Sequence, residues 1–264
     1  MILPDIHTHT VFCDGKNTPR EMVCAAIKKN MSGIGFSGHG HTNLENNYGM
    51  SPALTEQYIQ QINALKAEFD GKIDIFLGIE ADFNTIYDKA KFDYSIGSVH
   101  YVGGFDVDNS ADILRDAVET LGGPDDYAEQ YFEQVSKIKA VTDCDVIGHF
   151  DLLTKFDDSA KIFNQDSKRY VTAALTAVND LLKTDVVFEV NTGAIFRGYR
   201  TTPYPAPFIL KHILQKGGAV TVTGDAHCVQ AIGANFDLAL DILRAVGFKS
   251  VKKLTSNGFI DVKI

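Results

Sequence analysis

The alternation of short apolar segments with helical patterns along the whole chain is the feature that most constrains its fold. Strands are predicted at about 4–7, 33–39, 72–82, 93–100, 144–150, 185–193 and 218–227. Most connections between them carry helices, predicted at about 18–30, 52–69, 110–121, 125–142, 167–183, 206–216 and 235–246. Strands that alternate with helices in this way predict parallel pairing with right-handed crossovers.

Seven parallel strands with intervening helices favour a closed, irregular α/β barrel, with an open doubly wound sheet as the alternative. The 264 residues are enough for one barrel-sized domain, and no linker, repeat or low-complexity tract divides them. The sequence contains no GxGxxG or Walker-type loop, which disfavours nucleotide binding by those routes. We therefore predict a single α/β domain.

The composition narrows the classes of partner. With 34 acidic and 25 basic residues the formal charge is -9, which argues against nucleic acid as the main partner but allows a small phosphorylated substrate. We find no membrane-spanning apolar run and no secretion signal, and the four cysteines form no CxxC pair. These features predict a cytoplasmic protein with reduced thiols and no membrane partner, and they do not predict an oligomeric state.

Histidine and carboxylate residues collect at the ends of the predicted strands. Six of the eight histidines lie there, and three acidic residues accompany them as candidate ligands. The nine candidates are His7, His9, Asp14, His39, Glu80, His100, His149, Asp225 and His227. In a parallel α/β barrel the C-terminal strand ends open on one face, where such enzymes carry out their chemistry. Imidazole and carboxylate ligands together suit Zn, Mn or Fe.

The number and spacing of these residues point to more than one ion. His7 and His9 are two apart on an extended strand, so both rings face the same side, and Asp225 and His227 repeat that spacing. One ion takes about three or four protein ligands, so nine candidates imply several ions with a bridging carboxylate. Ions about 3.5–4 Å apart can together promote an in-line displacement, which indicates hydrolysis of a phosphate or amide ester.

The motifs resemble those of the PHP (polymerase and histidinol phosphatase) family. They are HTHT at 7–10, SGH at 37–39, GIEAD at 78–82, GSVH at 97–100, GHFD at 148–151, EVNTG at 189–193 and GDAH at 224–227. The motifs occur in the family's order, and GSVHYVGGFDVD and TTPYPAPFIL look most like the histidinol-phosphate phosphatases within it. Two positions depart from the usual motifs, with Gly38 before the second-motif histidine and Gly224 before Asp225.

The resemblance implies a distorted seven-stranded (β/α)7, TIM-like barrel that forms one metallohydrolase domain over 1–264, with three divalent ions. The first ion would be held by His7, His9, Glu80 and Asp225. The second would share Glu80 and be completed by His100 and His149. The third would be held by Asp14, His39 and His227.

The activity that the resemblance implies is phosphomonoester hydrolysis, with L-histidinol phosphate of histidine biosynthesis as the expected substrate. A hydroxide bridging two ions would be the nucleophile, with Asp225 or His227 assisting proton transfer. We expect Arg197 to bind the phosphate, with Arg200 in reserve, because a guanidinium suits bidentate phosphate contact. The alternatives are a PHP phosphoesterase acting on a nucleotide or phosphotyrosine, and a non-catalytic PHP module.

Overall fold

The computed structural model describes residues 3–42 and 48–264. In this part of the chain the strands are β1 (Gly33–Phe36), β2 (Asp74–Asp82), β3 (Tyr94–Ser98), β4 (Tyr101–Val102), β5 (Phe105–Asp106), β6 (Val146–Ile147), β7 (Val187–Asn191), β8 (Ala219–Thr223), β9 (Ser250–Thr255) and β10 (Gly258–Lys263). The helices are α1 (Pro19–Lys28), α2 (Pro52–Glu68), α3 (Ala111–Thr120), α4 (Pro124–Thr142), α5 (Asp157–Ala160), α6 (Lys168–Leu181), α7 (Gly193–Phe196), α8 (Pro207–Gln215) and α9 (Phe236–Val246). Single 3-10 turns lie at Lys89–Lys91 and Leu152–Thr154.

Six strands form one parallel sheet in the order β1-β2-β3-β6-β7-β8. The two edge strands of this sheet are bridged by an extended stretch, residues 5–9, which we call the closing segment. Asp5 pairs with Ile34 on one side, and Thr8 pairs with Ala226 on the other. Backbone bonds of 2.9 Å join Ala226 N–H to the His7 carbonyl and His9 N–H to the Ala226 carbonyl. The prediction of an α/β barrel is therefore confirmed. We call the strand positions around the barrel its staves; the closing segment is the first stave, and it is held by isolated bridges rather than by a ladder.

The helices begin where the local sequence favours them. Thr18 caps α1, and the Glu21 carboxylate accepts a 2.8 Å bond from the Thr18 N–H, which completes a capping box. Helices α3 and α4 are separated at Gly122 and Gly123, whose φ angles of 99° and 100° are unfavourable for residues with a side chain. Pro124 then starts α4, since a proline at the first helical position costs no hydrogen bond.

The hydrophobic core lies on both sides of the sheet. The larger cluster packs α3, α4, α6, α8 and α9 against the outer faces of the strands, and a second cluster packs α1 and α2 against β1 and β2. A small cluster inside the barrel joins Ile6, Phe76, Tyr94 and Val146 to Leu254 of β9. Because Phe76, Tyr94 and Val146 are near the starts of their strands, the β9–β10 hairpin covers the N-terminal end of the barrel and leaves the other end open.

No helix in residues 3–42 and 48–264 combines the length and apolar character needed to cross a membrane. All four cysteines carry free thiols.

Candidate metal centre

The structure brings the nine candidate ligands together at the C-terminal ends of the strands. We call these nine side chains the ligand cluster: His7, His9, Asp14, His39, Glu80, His100, His149, Asp225 and His227. Eight of them, all but His149, form three groups in which the possible ligand atoms lie within 4.8 Å of one another. The groups are His9, Asp14, His39 and His227; His7, His9 and Asp225; and His39, Glu80 and His100.

Glu80 of β2 occupies the middle of the ligand cluster and is 1% exposed. Its Oε1 lies 3.1 Å from His149 Nε2 and 3.6 Å from His100 Nε2. Its Oε2 lies 3.0 Å from His39 Nδ1, 3.3 Å from His7 Nε2 and 3.5 Å from His9 Nε2. The two oxygens of one carboxylate thus face different sets of histidines, which is the arrangement that a carboxylate shared by two ions requires.

Asp225 reaches the ligand cluster from a strained turn after β8. Its Oδ1 lies 3.4 Å from His9 Nε2 and 3.6 Å from His7 Nε2. Its φ of 46° is in the left-handed region, which non-glycine residues adopt mainly where the surroundings enforce it. The preceding Gly224 is needed for space, because a Cβ there would lie 2.3 Å from Asp5 Oδ2.

Asp5 holds this turn in place by accepting hydrogen bonds from backbone N–H groups. Its Oδ1 accepts a bond of 2.9 Å from Gly224 N–H, and its Oδ2 accepts another of 2.9 Å from Gly233 N–H. Burial raises the Asp5 pKa to about 6 even though these backbone bonds favour the ionised form. The glycine at 224 is therefore explained by the carboxylate that occupies the space beside it.

Asp14, at the outer edge of the ligand cluster, faces three histidines. Its Oδ2 lies 3.0 Å from His227 Nε2, and its Oδ1 lies 3.4 Å from His9 Nδ1 and 3.8 Å from His39 Nε2. The rings of His9 and His227 stack with centroids 4.1 Å apart. His9 therefore belongs geometrically to two groups, one with Asp14 and one with Asp225, whereas the resemblance implied only the second.

The donor atoms of the ligand cluster are better placed to bind divalent ions than to form hydrogen bonds with one another. His7 Nε2, His9 Nε2 and Glu80 Oε2 are buried, and none has a hydrogen-bond partner among the described residues. Buried polar atoms without partners are costly, and most are satisfied in native proteins. Ligand atoms bound to one zinc at about 2.0–2.2 Å lie about 3.0–3.5 Å from one another, close to the separations around Glu80. The contacts of Glu80 with His7, His9 and His100, at 3.3–3.6 Å, are long for hydrogen bonds yet suit a shared cation.

Charges within the ligand cluster favour ionised carboxylates. Burial raises the pKa of Glu80, but the neighbouring histidines outweigh burial and hold it well below its ordinary value. For Asp225, Arg197 and His7 likewise outweigh burial and lower the pKa. Burial lowers the pKa of His39 to about 4, so this imidazole is neutral and can donate an electron pair to a metal.

Carboxylates outside the ligand cluster orient two of its histidines. His7 Nδ1 lies 2.5 Å from Glu189 Oε1, and His100 Nδ1 lies 2.9 Å from Asp82 Oδ2. Such contacts fix the tautomer and the ring orientation of histidines that bind metals. Glu189 is a site residue that was not predicted from the sequence, although a carboxylate in the apolar strand VVFEVN was the available signal.

Glu189 of β7 is fully buried and is bonded to residues of three other staves of the barrel. Besides His7, it accepts bonds from the His149 N–H at 2.6 Å, the Thr223 hydroxyl at 2.6 Å and the Asn191 amide at 3.0 Å. These four bonds come from residues on the closing segment, on β7, on β8 and just after β6. It therefore fixes the relative positions of the ligand-bearing strand ends.

A cavity of ≈ 380 Å³ opens over the ligand cluster. Glu80, His100, His149 and Asp225 contribute to its floor. One side of the cavity is formed by Asp106, Asp108, Lys155 and Phe196, which we call the loop wall. The cavity is large enough for a small organic phosphate with its reacting group at the floor.

Arg197, which follows α7, lines this cavity. Its Nη2 donates to Asp225 Oδ2 at 2.9 Å, and its Nη1 donates to the Asp225 carbonyl at 3.1 Å. The same Nη1 lies 3.3 Å from His227 Nδ1. The residue predicted to bind phosphate is therefore next to both residues predicted to assist proton transfer.

Arg200 lies elsewhere, which corrects its assignment as a reserve phosphate ligand. Its Nη1 donates to the Thr154 carbonyl at 3.2 Å, its Nε donates to the Thr202 carbonyl at 3.2 Å, and its guanidinium covers the Tyr204 ring at 4.5 Å. It is 6% exposed and does not line the cavity. Because these internal contacts use the N–H donors of its guanidinium, Arg200 holds the surrounding loops together.

Gly38, the other departure from the usual motifs, also has a structural reason. A Cβ at Gly38 would lie 3.2 Å from Met50 Cε and 3.3 Å from Cys13 Sγ, so the site has no room for a longer side chain. Cys13 in turn places its Sγ 3.5 Å from His9 Nδ1. In this chain, therefore, Met50 and Cys13 fill the space that an acidic or amide side chain at position 38 would need.

Known proteins resemble this chain over most of its length. A probable histidinol-phosphatase of Deinococcus radiodurans is 30% identical over 262 residues, which cover 94% of this chain and 95% of that protein. A histidinol-phosphatase of Bacillus subtilis is 25% identical over 266 residues, covering 90% and 98%.

Solved structures share the fold. The histidinol phosphate phosphatase of Lactococcus lactis, solved with zinc, L-histidinol and phosphate, has a TM-score of 0.74 at 20% identity and covers 98% of both chains. A putative histidinol phosphatase of Listeria monocytogenes has a TM-score of 0.79 at 20% identity, covering 89% of this chain and 99% of that one. The PHP domain model matches residues 5–193, which include every stave from the closing segment to β7. This chain belongs to the PHP domain family.

Proposed function

We propose that this protein is a metal-dependent phosphomonoester hydrolase that converts L-histidinol phosphate to L-histidinol and inorganic phosphate. The observation that carries the proposal is the position of Glu80. Its two oxygens face five histidines at the floor of a cavity that also contains Arg197. In the reaction, a water oxygen forms a bond to phosphorus, the ester P–O bond breaks, and the alcohol oxygen leaves with a proton.

The relatives support this choice of substrate. The histidinol-phosphatases of Deinococcus radiodurans and Bacillus subtilis align with nine-tenths or more of this chain. The Lactococcus lactis structure holds zinc together with L-histidinol and phosphate, which are the two products of such a hydrolysis. A shared fold alone would not identify a substrate, so the full-length sequence relationship is the stronger support.

We assign the ions to the ligand cluster as the resemblance implied, with Zn, Mn or Fe as candidates. His7, His9, Glu80 and Asp225 would hold the first, Glu80, His100 and His149 the second, and Asp14, His39 and His227 the third. Bound divalent ions lower the pKa of a coordinated water and neutralise negative charge on phosphoryl oxygens. The short distance of His9 to Asp14 makes His9 a further candidate for the third ion.

The chain's own residues would complete the site. Arg197 would bind a phosphoryl oxygen, because its guanidinium is at the cavity and keeps donors beyond those directed at Asp225, among them Nε, which has no partner among the described residues. Asp225 and His227 would assist transfer of the proton that the leaving alcohol oxygen needs. His227 is suited to this role because its side chain is 25% exposed at the edge of the cavity.

The setting of this activity is also a proposal. The names of the relatives favour a role in histidine biosynthesis, a cytoplasmic location stays a prediction, and the acidic composition argues against nucleic acid as a partner. The assignment of 1–264 to a single domain stays a prediction.

The proposal can be tested on protein purified with zinc or manganese. We expect about two or three ions per chain by elemental analysis, and phosphate release from histidinol phosphate that stops after chelation and returns when metal is restored. The same protein would be assayed with nucleoside monophosphates, phosphotyrosine and p-nitrophenyl phosphate. If a nucleotide or phosphotyrosine is hydrolysed with higher kcat/KM than histidinol phosphate, the proposed substrate is wrong. If none of these esters is hydrolysed, the proposed enzymatic activity is wrong.

A further inference from the structure

The cavity is electrically asymmetric in a way that the reaction itself does not explain. Its floor carries the ligand cluster and Arg197, which suit a phosphate. The loop wall, by contrast, carries Asp106 and Asp108, two acidic residues that belong to none of the groups of possible metal ligands. A second acidic region that lines the same cavity as a phosphate site repels the phosphate unless it serves another part of the substrate.

The position of these two residues is fixed relative to the ligand cluster. The β4–β5 hairpin follows His100 directly, and Tyr101 pairs with Asp106 across it. The Val107 N–H then donates a 2.9 Å bond to the His100 carbonyl. The hairpin is therefore tied to a candidate metal ligand and presents its acidic residues to the same cavity.

Asp108 already has a cation. Lys155 Nζ lies 2.8 Å from Asp108 Oδ2 and donates a 2.7 Å bond to the Asp108 carbonyl. The ammonium also lies over the rings of Phe156 and Tyr199, at 5.5 and 5.2 Å. With its charge neutralised and its cation held on several sides, Asp108 is not free to bind a second ammonium group.

Asp106 differs from Asp108 in this respect. Within residues 3–42 and 48–264, no Lys, Arg or His side chain makes an ion pair with it, and its Oδ1 accepts one bond of 3.1 Å from the Asp108 N–H. Burial raises the pKa of Asp106, and the nearby Asp108 carboxylate raises it further. The two acids and one lysine thus leave the loop wall with one unneutralised carboxylate, which a cation from the substrate would stabilise.

We propose that Asp106 binds the ammonium group of the substrate and so makes the enzyme selective for phosphate monoesters of amino alcohols. This inference rests on the proposed function and adds the residue that recognises the end of the substrate away from the phosphate. A nucleoside monophosphate or a phosphotyrosine within a protein chain has no ammonium group to place at Asp106, so it gains nothing from this contact.

The test compares two substrates and two enzymes. The substrates are histidinol phosphate and the analogue that lacks only its amino group, and the enzymes are the wild type and Asp106→Asn, which keeps the side-chain shape. We expect the wild type to prefer the amino substrate by about 10- to 100-fold in kcat/KM, the range for a hydrogen bond between charged groups, and Asp106→Asn to lose that preference. Calorimetric binding of L-histidinol itself should weaken by a similar factor in the variant.

The matched control is Asp116→Asn, which removes the same charge from the exposed face of α3 and should keep the full preference. If Asp106→Asn does not fold, as judged by circular dichroism, Asp106→Ser gives the same comparison without the bulk of the amide. A wild type that hydrolyses neither substrate overturns the proposed function and this inference with it. A wild type that hydrolyses histidinol phosphate, with a preference that survives in the Asp106 variant, overturns this inference alone.

Discussion

The ligand cluster and the loop wall line one cavity, yet different parts of the fold build them. The ligand cluster comes from the closing segment and the turn after it, from β2, and from the residues that follow β1, β3, β6 and β8, and its inner members are almost fully buried. The loop wall comes from the β4–β5 hairpin, a 3-10 turn and the end of α7, and its outermost member, Phe196, is 41% exposed.

This contrast separates two tasks. Backbone pairing fixes the strand ends, in ladders between the parallel strands and in single bridges along the closing segment, so the ligand cluster can hold several atoms at metal-binding distances with little freedom. The loop wall lies outside these ladders: its hairpin is joined to His100 by a backbone bond, and Lys155 is held by its contacts to Asp108, so its side chains can change without disturbing the barrel. We infer that the ligand cluster determines the reaction and the loop wall determines the substrate, and four variants test this division.

The largest effect is expected for Glu80→Gln in the ligand cluster. Removing the charge that five histidines surround should abolish binding of at least one ion and lower kcat by at least about 10³-fold. Elemental analysis and phosphate release measure the two effects, and Glu119→Gln on the exposed face of α3 is the control. Full metal content with full turnover would show that Glu80 is not the shared carboxylate.

Arg197→Met, between the two regions, should have the next largest effect. Losing the guanidinium should lower kcat/KM by about 10²-fold, because a charged bond to phosphate is lost, while metal content is retained. Arg200→Met is the informative comparison, since it should lower Tm through the lost bonds to Thr154 and Thr202 and leave KM unchanged. Equal effects of the two substitutions on KM would contradict the assignment of Arg197.

Glu189→Gln tests the support beneath the ligand cluster. An amide cannot fix the His7 tautomer as a carboxylate does, so metal affinity should fall by about 10- to 100-fold. Competition with a chelator of known affinity measures this change without any assay of activity. Glu133→Gln, an exposed change on α4, should leave the affinity as it is, and an unaltered affinity in Glu189→Gln would mean that His7 does not depend on this contact.

The smallest effect is expected for Lys155→Met in the loop wall. Burial raises the pKa of Asp108, but Lys155 and His100 outweigh burial and hold it below its ordinary value. The ion pair therefore stabilises the fold above the ordinary aspartate range and is lost as pH falls below it. We expect Lys155→Met to lower the free energy of unfolding by about 1–2 kcal/mol at neutral pH and by less at about pH 4.

Urea unfolding in the presence of a chelator measures this difference at both pH values and keeps metal binding out of the comparison. Lys137→Met, which removes an exposed i,i+4 pair on α4, is the control and should cost at most about 0.5 kcal/mol at either pH. A cost for Lys155→Met that grows in acid would contradict the ion-pair explanation.

Much of the barrel and the placement of the ligand cluster could be predicted because both follow from local patterns. Apolar runs give the strands, and a barrel brings their C-terminal ends to one face, so His39, His100 and His149 could be placed together without knowing any contact. The first stave was predicted only in outline, since its pairing by single bridges to Ile34 and Ala226 depends on how the sheet curls.

Other features were missed for two different reasons. The β9–β10 hairpin has a clear local signal in Asn257-Gly258, a dipeptide typical of tight hairpin turns, and Gly258 has a φ of 91°. The loop wall has no such signal, because Lys155 and Asp108 are 47 residues apart and meet only through tertiary packing. Arg197 and Arg200 likewise lie in one short loop, and only the structure shows which of them faces the cavity.

The closing segment has a consequence for the order in which the protein is made. Its histidines are synthesised long before their partners across the seam, and the neighbouring Asp14 and its partner His227 are separated by 213 residues. Contacts of such long sequence separation form late in folding and limit its rate. While the chain is still being translated, it already carries His7, His9, Asp14, His39 and Glu80 but has no closed barrel around them. The ions of the complete centre can therefore be captured only after β8 has been made and docked.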